Sequence, residues 1–355
     1  MHSGNNTEPS AATWNFWFDG HANFAAVLDE LEAKHGLGAA KHVLLTGGSA
    51  GGVGTFVNAD YLAERLPQAT VKGAPNAGWF FPAALPSDLP DIYPPSDWAH
   101  FAAGTHGNPN SENNSRPAFI PTLYNSRGLI PAACIADQKP DEWWACSSIH
   151  KLYKYIKTPL FVLENQYDTN QIFAQELAPS KPSGAQEYAT LLDYVAMYGE
   201  AMRNSTAQVL DDAPLHKAPG TDGIFHPSCL QHGVATDLTV QGQAWLPIVG
   251  DWFWGTGKLK QHYRTVEAPL GSGEPSNPDK GCAVSQYNPG PSTPTPAPAP
   301  GGGCAAQLKK DGCLDAAGGG PTKCEKCAEA HEADLKAAGC TDEKEVKDLC
   351  QGGSN

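Results

Sequence analysis

No apolar run in this 355-residue chain approaches the roughly 18 residues needed to cross a membrane. Charge is sparse: Asp, Glu, Lys and Arg together make up 17% of the residues. Basic residues are the scarcer sign, 24 against 38 acidic, and the net charge of −14 argues against nucleic-acid or anionic-membrane partners. The stretch after Met1, HSGNNTEPS, has neither the basic start nor the apolar core of a secretory signal. Large apolar residues are also few in 304–355, so a hydrophobic core alone is not expected to hold that segment.

Glycine (37), proline (30) and cysteine (10) are what the chain has in quantity. The cysteines fall into two even groups: Cys134, Cys146, Cys229 and Cys282, then Cys304, Cys313, Cys324, Cys327, Cys340 and Cys350. Even counts point to disulfides and an oxidising, secretory or extracellular compartment. Sequons at Asn5, Asn113 and Asn204 agree with that. The stretch PGPSTPTPAPAPGGG (289–303) favours extended polyproline II followed by a swivel. The organisation read from these shifts is a body at 1–285, a linker at 286–303 and a small helical Cys-rich module at 304–355. Cys324-Glu-Lys-Cys327 has zinc-like spacing but no second close pair, so disulfides are expected there and no metal. Six cysteines leave the connectivity open.

In the body, NFAAVLDELEAKHGLG (23–38) puts Phe24, Val27, Leu28 and Leu31 on one helical face, with Gly36 and Gly38 as stop signals. HVLLTGG and TPLFVLENQYD (158–168) read as buried strands. GTFVNADYLAERLP (54–67) reads as a helix with Phe56, Leu62 and Leu66 inward. Strand, glycine turn and helix in succession predict an α/β fold with a mostly parallel sheet.

Gly47-Gly48-Ser49-Ala50-Gly51 fits G-x-S-x-G between a predicted strand and helix, the setting of a nucleophile elbow. The turn holds the Ser49 hydroxyl out, and flanking glycines avoid collisions with strand and helix. The Ala50 N–H then faces the developing oxyanion at a helix N-terminus. A serine nucleophile needs a base and an orienting carboxylate, in the order Ser, acid, His on this architecture. Asp168, at the end of TPLFVLENQYD, fits the acid. The base falls among His216, His226, His232 and His262, or His331 beyond the linker. HPSCLQH (226–232) is the informative stretch, with His232 favoured and His226 the runner-up.

LLTGGSAGGVGTFVNADYLAERL, VKGAPNAGWFF, GLIPAACIADQKPDEWWACSSIHKLYKYIKTPLFVLENQYDTNQI and PSCLQH, in that order, resemble the pectin acetylesterase/Notum carboxylesterase family of α/β-hydrolases over about 1–285. The resemblance implies Ser49 as nucleophile, Asp168 as acid and His232 as base, with no cofactor. It implies the disulfides Cys229–Cys282 and Cys134–Cys146. Gly48, Trp79 and Phe80 are then expected around the substrate, although Trp79, Phe80 and Phe81 equally suit core packing. The implied partner is an acylated polysaccharide such as pectin or another ester, an O-fatty-acylated protein included. A monomer is expected, whose tail attaches to glycan, wall or partner. The rival reading is an inactive fragment or binding protein using the same pocket. Two departures stand out. Asn76 occupies a position where the family usually has an acid, and only 48 residues precede Ser49. The short start implies a truncated domain, without a strand beside HVLLTGG and without a Gly-Gly-Trp oxyanion loop.

Overall fold

The computed structural model describes residues 4, 8–9, 15–80, 126–140, 142–175, 182, 184–211, 217–218, 220–271, 280, 282–287, 302–314, 321–337 and 343–351. The chain divides into two compact units, 1–288 and 289–355. The expected linker falls largely outside the described residues. Two of its ends do not: Val284–Tyr287 is a 3-10 turn, and a helix opens at Gly302.

The first unit starts with α1 (Gly20–His35), which Gly36 stops in the left-handed conformation by returning its N–H to the Leu31 carbonyl. Leu28 is buried, and Phe24 and Leu31 pack partly around it against Leu62 and Leu66. Val27, expected inward, is 55% exposed. At 100° per residue it lies on the flank of the Phe24/Leu28/Leu31 stripe, where nothing described covers it. Then follow β1 (His42–Gly48), α2 (Ala50–Arg65) and β2 (Thr70–Asn76). Farther on come β3 (Phe161–Leu163), the long α3 (Ala185–Leu210) and β4 (Gly223–His226). A two-residue antiparallel pair, β5 (Thr239–Val240) and β6 (Gln243–Ala244), leads to α4 (Trp245–Trp254) and β7 (Arg264–Val266).

The main sheet has the order β1-β2-β3-β4-β7, and every pairing is parallel. Its interior strands alternate sides, as period 2 requires. Val162 and Ile224 enter one core with Leu191, Tyr194, Val195, Tyr198 and Met202 of α3. Phe161, Leu163 and Phe225 enter a second core with Ile248, Val249 and Trp252 of α4. The sheet is therefore covered on both faces, which is the α/β arrangement expected.

Two strand expectations need correcting. β1 is not buried: its residues alternate between exposed and half-buried, and Leu44 is 36% exposed. It is the edge strand of the described sheet, so one side of its backbone has no strand beside it there, and every second residue is exposed. The 158–168 stretch is strand only over Phe161–Leu163, with a bridge from Leu160 to Gly73. Glu164–Asp168 leaves the sheet and is buried all the same.

Cys134 is bonded to Cys146 and Cys229 to Cys282, the two pairs the resemblance implies. The second unit holds four helices, α5 (Gly302–Lys310), α6 (Pro321–Ala330), α7 (Glu332–Ala337) and α8 (Glu343–Cys350), among its described residues. Cys313–Cys327 and Cys324–Cys350 cross-link it. Cys304 is also disulfide-bonded, while Cys340 lies outside the described residues. Cys324 and Cys327 thus bond different partners and offer no thiolate pair to zinc.

Candidate active site

α2 begins one residue after β1 ends, and Ser49 is the residue between. Its φ of 56° and ψ of −122° lie in a region non-glycine residues rarely occupy. Such a conformation costs about 1–3 kcal/mol and persists only where the surroundings enforce it. Enforcement comes from both sides: the Ser49 N–H donates to the Asn76 carbonyl (2.9 Å), and its carbonyl accepts from Val53 (3.1 Å). A Cβ on Gly47 would sit 2.4 Å from the Gly51 carbonyl oxygen, and one on Gly52 2.6 Å from the Asn76 oxygen. The collision argument therefore holds for Gly47 and Gly52. It does not extend to Gly48 or Gly51, where an added Cβ meets nothing within 4 Å. Among the described residues, nothing fills the space a side chain at position 48 would take, next to Ser49. The Ala50 N–H is the first of α2 and has no partner one turn back in the helix.

Asp168 follows β3 through the segment Glu164–Tyr167, which turns at Gln166 and Tyr167, and is fully buried. Its Oδ1 accepts from the Gln171 N–H at 2.9 Å, and its Oδ2 is 2.7 Å from His232 Nδ1. That hydrogen bond raises the His232 pKa above its ordinary 6.5, against the opposing effect of partial burial. With Nδ1–H given to Asp168, Nε2 is left as the basic nitrogen. Phe80 lies beside the imidazole, ring centres 6.4 Å apart.

Two asparagines hold the His232 loop. Asn165 Nδ2 donates to the carbonyls on either side of His232, Gln231 at 3.0 Å and Gly233 at 2.7 Å. Asn76 donates from Nδ2 to the Val234 carbonyl (3.0 Å) and accepts the Val234 N–H on Oδ1 (2.8 Å). Asn76 is also the residue whose carbonyl anchors Ser49. One side chain and its own peptide thus tie the elbow and the histidine loop to the end of β2. The Cys229–Cys282 bridge and a Leu230 N–H bond to the Cys282 carbonyl fix the same loop from its other end.

The remaining histidines are elsewhere. His226 is fully buried: Nδ1 lies 2.7 Å from the Glu164 carbonyl oxygen and Nε2 3.4 Å from Thr206. Burial pulls its pKa down to about 4, so it is a neutral clamp on the Asp168 turn. His262 ends a 3-10 turn before β7, His331 lies in the second unit, and His216 is outside the described residues. Trp79, expected around the substrate, has no exposed surface. It packs against Phe56 and Tyr153 and donates its indole N–H to Ser205 at 2.9 Å, so core packing is what the structure gives it. Phe81 lies outside the described residues.

Sequence reasoning missed Glu164, Asn165 and Gln166, each 0% exposed. The signal was present in FVLENQYD, where three polar residues interrupt an apolar run before the aspartate. Burying polar groups is costly unless they are bonded. Gln166 bonds the His226 and Glu267 carbonyls and accepts from Arg203.

A parallel sheet covered on both faces, with a strained serine between strand and helix and an Asp–His pair on later loops, defines an α/β-hydrolase-like protein. The comparisons agree. The chain belongs to the pectinacetylesterase family, whose model matches residues 1–267. It is 30% identical over 242 residues to the palmitoleoyl-protein carboxylesterase NOTUM of Drosophila melanogaster, covering 65% of this chain and 30% of that one. It is 29% identical over 264 residues to pectin acetylesterase 5 of Arabidopsis thaliana, covering 69% and 54%. The solved structure of the Wnt deacylase Notum from Drosophila superposes with a TM-score of 0.53 at 26% identity, covering 75% of this chain and 68% of that one. The chain thus spans about half or less of the length of these curated relatives. Among the described residues, no helix is long and apolar enough to cross a membrane.

Proposed function

We propose that this chain carries the machinery of a serine carboxylesterase that removes acyl groups, acetyl first among them, from an extracellular glycan such as pectin. The observation that carries the reading is the 2.7 Å bond from His232 Nδ1 to a fully buried Asp168. The loop of that histidine is tied, through Asn76, to the elbow of Ser49.

In this reading the Ser49 oxygen attacks the ester carbonyl as His232 Nε2 takes its proton. Asp168 holds the tautomer and stabilises the imidazolium. The Ala50 N–H donates to the oxyanion at the positive end of α2. The alkoxide leaves with the proton from His232, and water, deprotonated by the same nitrogen, hydrolyses the acyl-enzyme. Gly48 and Phe80 border the space open to substrate. Neither a metal nor an organic cofactor enters these steps.

The names of two relatives specify a palmitoleoyl-protein ester and an acetylated pectin, so acyl length is what separates the substrates. A fluorophosphonate probe should label Ser49, and Ser49→Ala should abolish both labelling and p-nitrophenyl acetate turnover at an unchanged melting temperature. Turnover comparable to wild type in Ser49→Ala would defeat the reading. A series of p-nitrophenyl esters from acetate to palmitate then reads acyl length directly.

A further inference from the structure

Glu164 is a buried carboxyl that the mechanism above leaves unused. It is 0% exposed, and its Oε2 accepts the Trp79 N–H at 2.8 Å. Its Oε1 is buried with no hydrogen-bond partner among the described residues, and the Asp168 carboxyl, equally buried four residues on, is near enough to raise the Glu164 pKa as a neighbouring charge. Two carboxylates this close and this buried cannot both be ionised without large cost. Asp168 already receives two donors, from His232 and Gln171. Among the described residues, the other groups facing Glu164 supply no compensating cation. His226, which holds the Glu164 carbonyl oxygen, is neutral, and Arg203 is bonded to Gln166 and Tyr167 instead.

We propose that Glu164 is a positioning residue of this site, a neutral carboxylic acid that accepts the Trp79 N–H on Oε2 and donates its own proton from Oε1 to the Asp168 carboxylate. The pair then holds one proton and one negative charge. Burial and the Asp168 charge push the Glu164 carboxyl well above the usual glutamate range, outweighing the Trp79 and Gly78 amides that favour its anion. The third donor fixes the Asp168 carboxyl for His232 and tempers the charge that His232 feels. The proposal rests on the Ser49–His232–Asp168 reading for its catalytic meaning, but not for its proton.

Two variants of the full chain test it. Glu164→Gln keeps an acceptor for Trp79 and a donor for Asp168, so it mimics the neutral acid. Glu164→Met keeps the volume and removes the donor. Nitrogen NMR of His232 should give the same titration midpoint in wild type and Glu164→Gln, and a midpoint raised by about half a unit to one unit in Glu164→Met. The acidic limb of kcat/KM should move with that midpoint. The infrared difference between wild type and Glu164→Gln at pH 7 should show the carbonyl band of an un-ionised carboxylic acid. A carboxylate band in its place, or a His232 midpoint lowered by about one unit in Glu164→Gln, overturns the proposal. So does a Glu164→Met midpoint identical to wild type. If Glu164→Met does not fold, the infrared band and the Glu164→Gln midpoint still decide. Turnover that survives Ser49→Ala would sink the triad reading while leaving the band intact, so the two failures are distinguishable.

Discussion

Asn76 bears on two elements of the proposed site at once, through its peptide on Ser49 and its side chain on Val234. Asn76→Ala should therefore lower esterase activity more than it lowers the melting temperature. Fluorophosphonate labelling and thermal melts, read side by side, check this. An activity loss no larger than the stability loss would contradict it. His226 makes a separate, pH-dependent prediction. Its folded pKa of about 4 lies below the ordinary 6.5, so the stability it contributes is fully present above 6.5 and is lost as pH falls toward 4. The stability gap between wild type and His226→Asn should narrow over that window by up to about 3 kcal/mol, at about 1.4 kcal/mol per unit. Urea titrations at pH 7.5 and pH 4 measure it, and a constant gap would show His226 to be no neutral clamp. The residue types of the candidate site were legible because G-x-S-x-G, the strand-end aspartate and HPSCLQH each constrain chemistry locally. Asn165 and Glu164 were not, because their roles arise only when the turn after β3 meets the 231–234 loop in space.

At the scale of elements, the junction of β1, α2 and β2 sets how far Ser49 projects. Gly52 and Gly54 are both in α2, but an added methyl meets the Asn76 oxygen at 2.6 Å and Gly78 Cα at 2.9 Å at the first, and nothing within 4 Å at the second. Gly52→Ala should destabilise the chain by about 1–3 kcal/mol through overpacking. It should also reduce activity, since it pushes on the peptide that anchors Ser49. Gly54→Ala should stabilise by about 0.5–1 kcal/mol, the ordinary helix preference of alanine over glycine. Chemical denaturation of both variants tests the contrast, and equal effects would show that α2 does not pack closely on β2. Sequence periodicity located α1, β1 and α2 well because each has its own pattern. It overextended β3, because an apolar run does not say where sheet pairing stops, and it misread β1 as buried, because a strand's neighbours are not written in the strand.

On the scale of the whole molecule, the two units are held by different forces. The first has two cores on either side of its sheet. The second has Leu308, Ala328 and Leu335 buried among its cysteines, with few other large side chains. Its bridges Cys313–Cys327 and Cys324–Cys350 close loops of 14 and 26 residues. On the chain-entropy account each bridge contributes about 3 kcal/mol, comparable to what so small a core supplies. Composition made this legible in advance, whereas the connectivity was not, because spacing alone does not choose among pairings. Reduction should accordingly unfold the second unit and spare the first. In the full chain under dithiothreitol, methyl signals of Leu308 and Leu335 should collapse to random-coil positions while those of Ile224 and Leu191 persist. Before reduction, intact mass should show every cysteine oxidised, and mapped peptides should link Cys313 to Cys327 and Cys324 to Cys350. Dispersed Leu308 and Leu335 signals in the fully reduced chain would mean that packing alone holds the second unit.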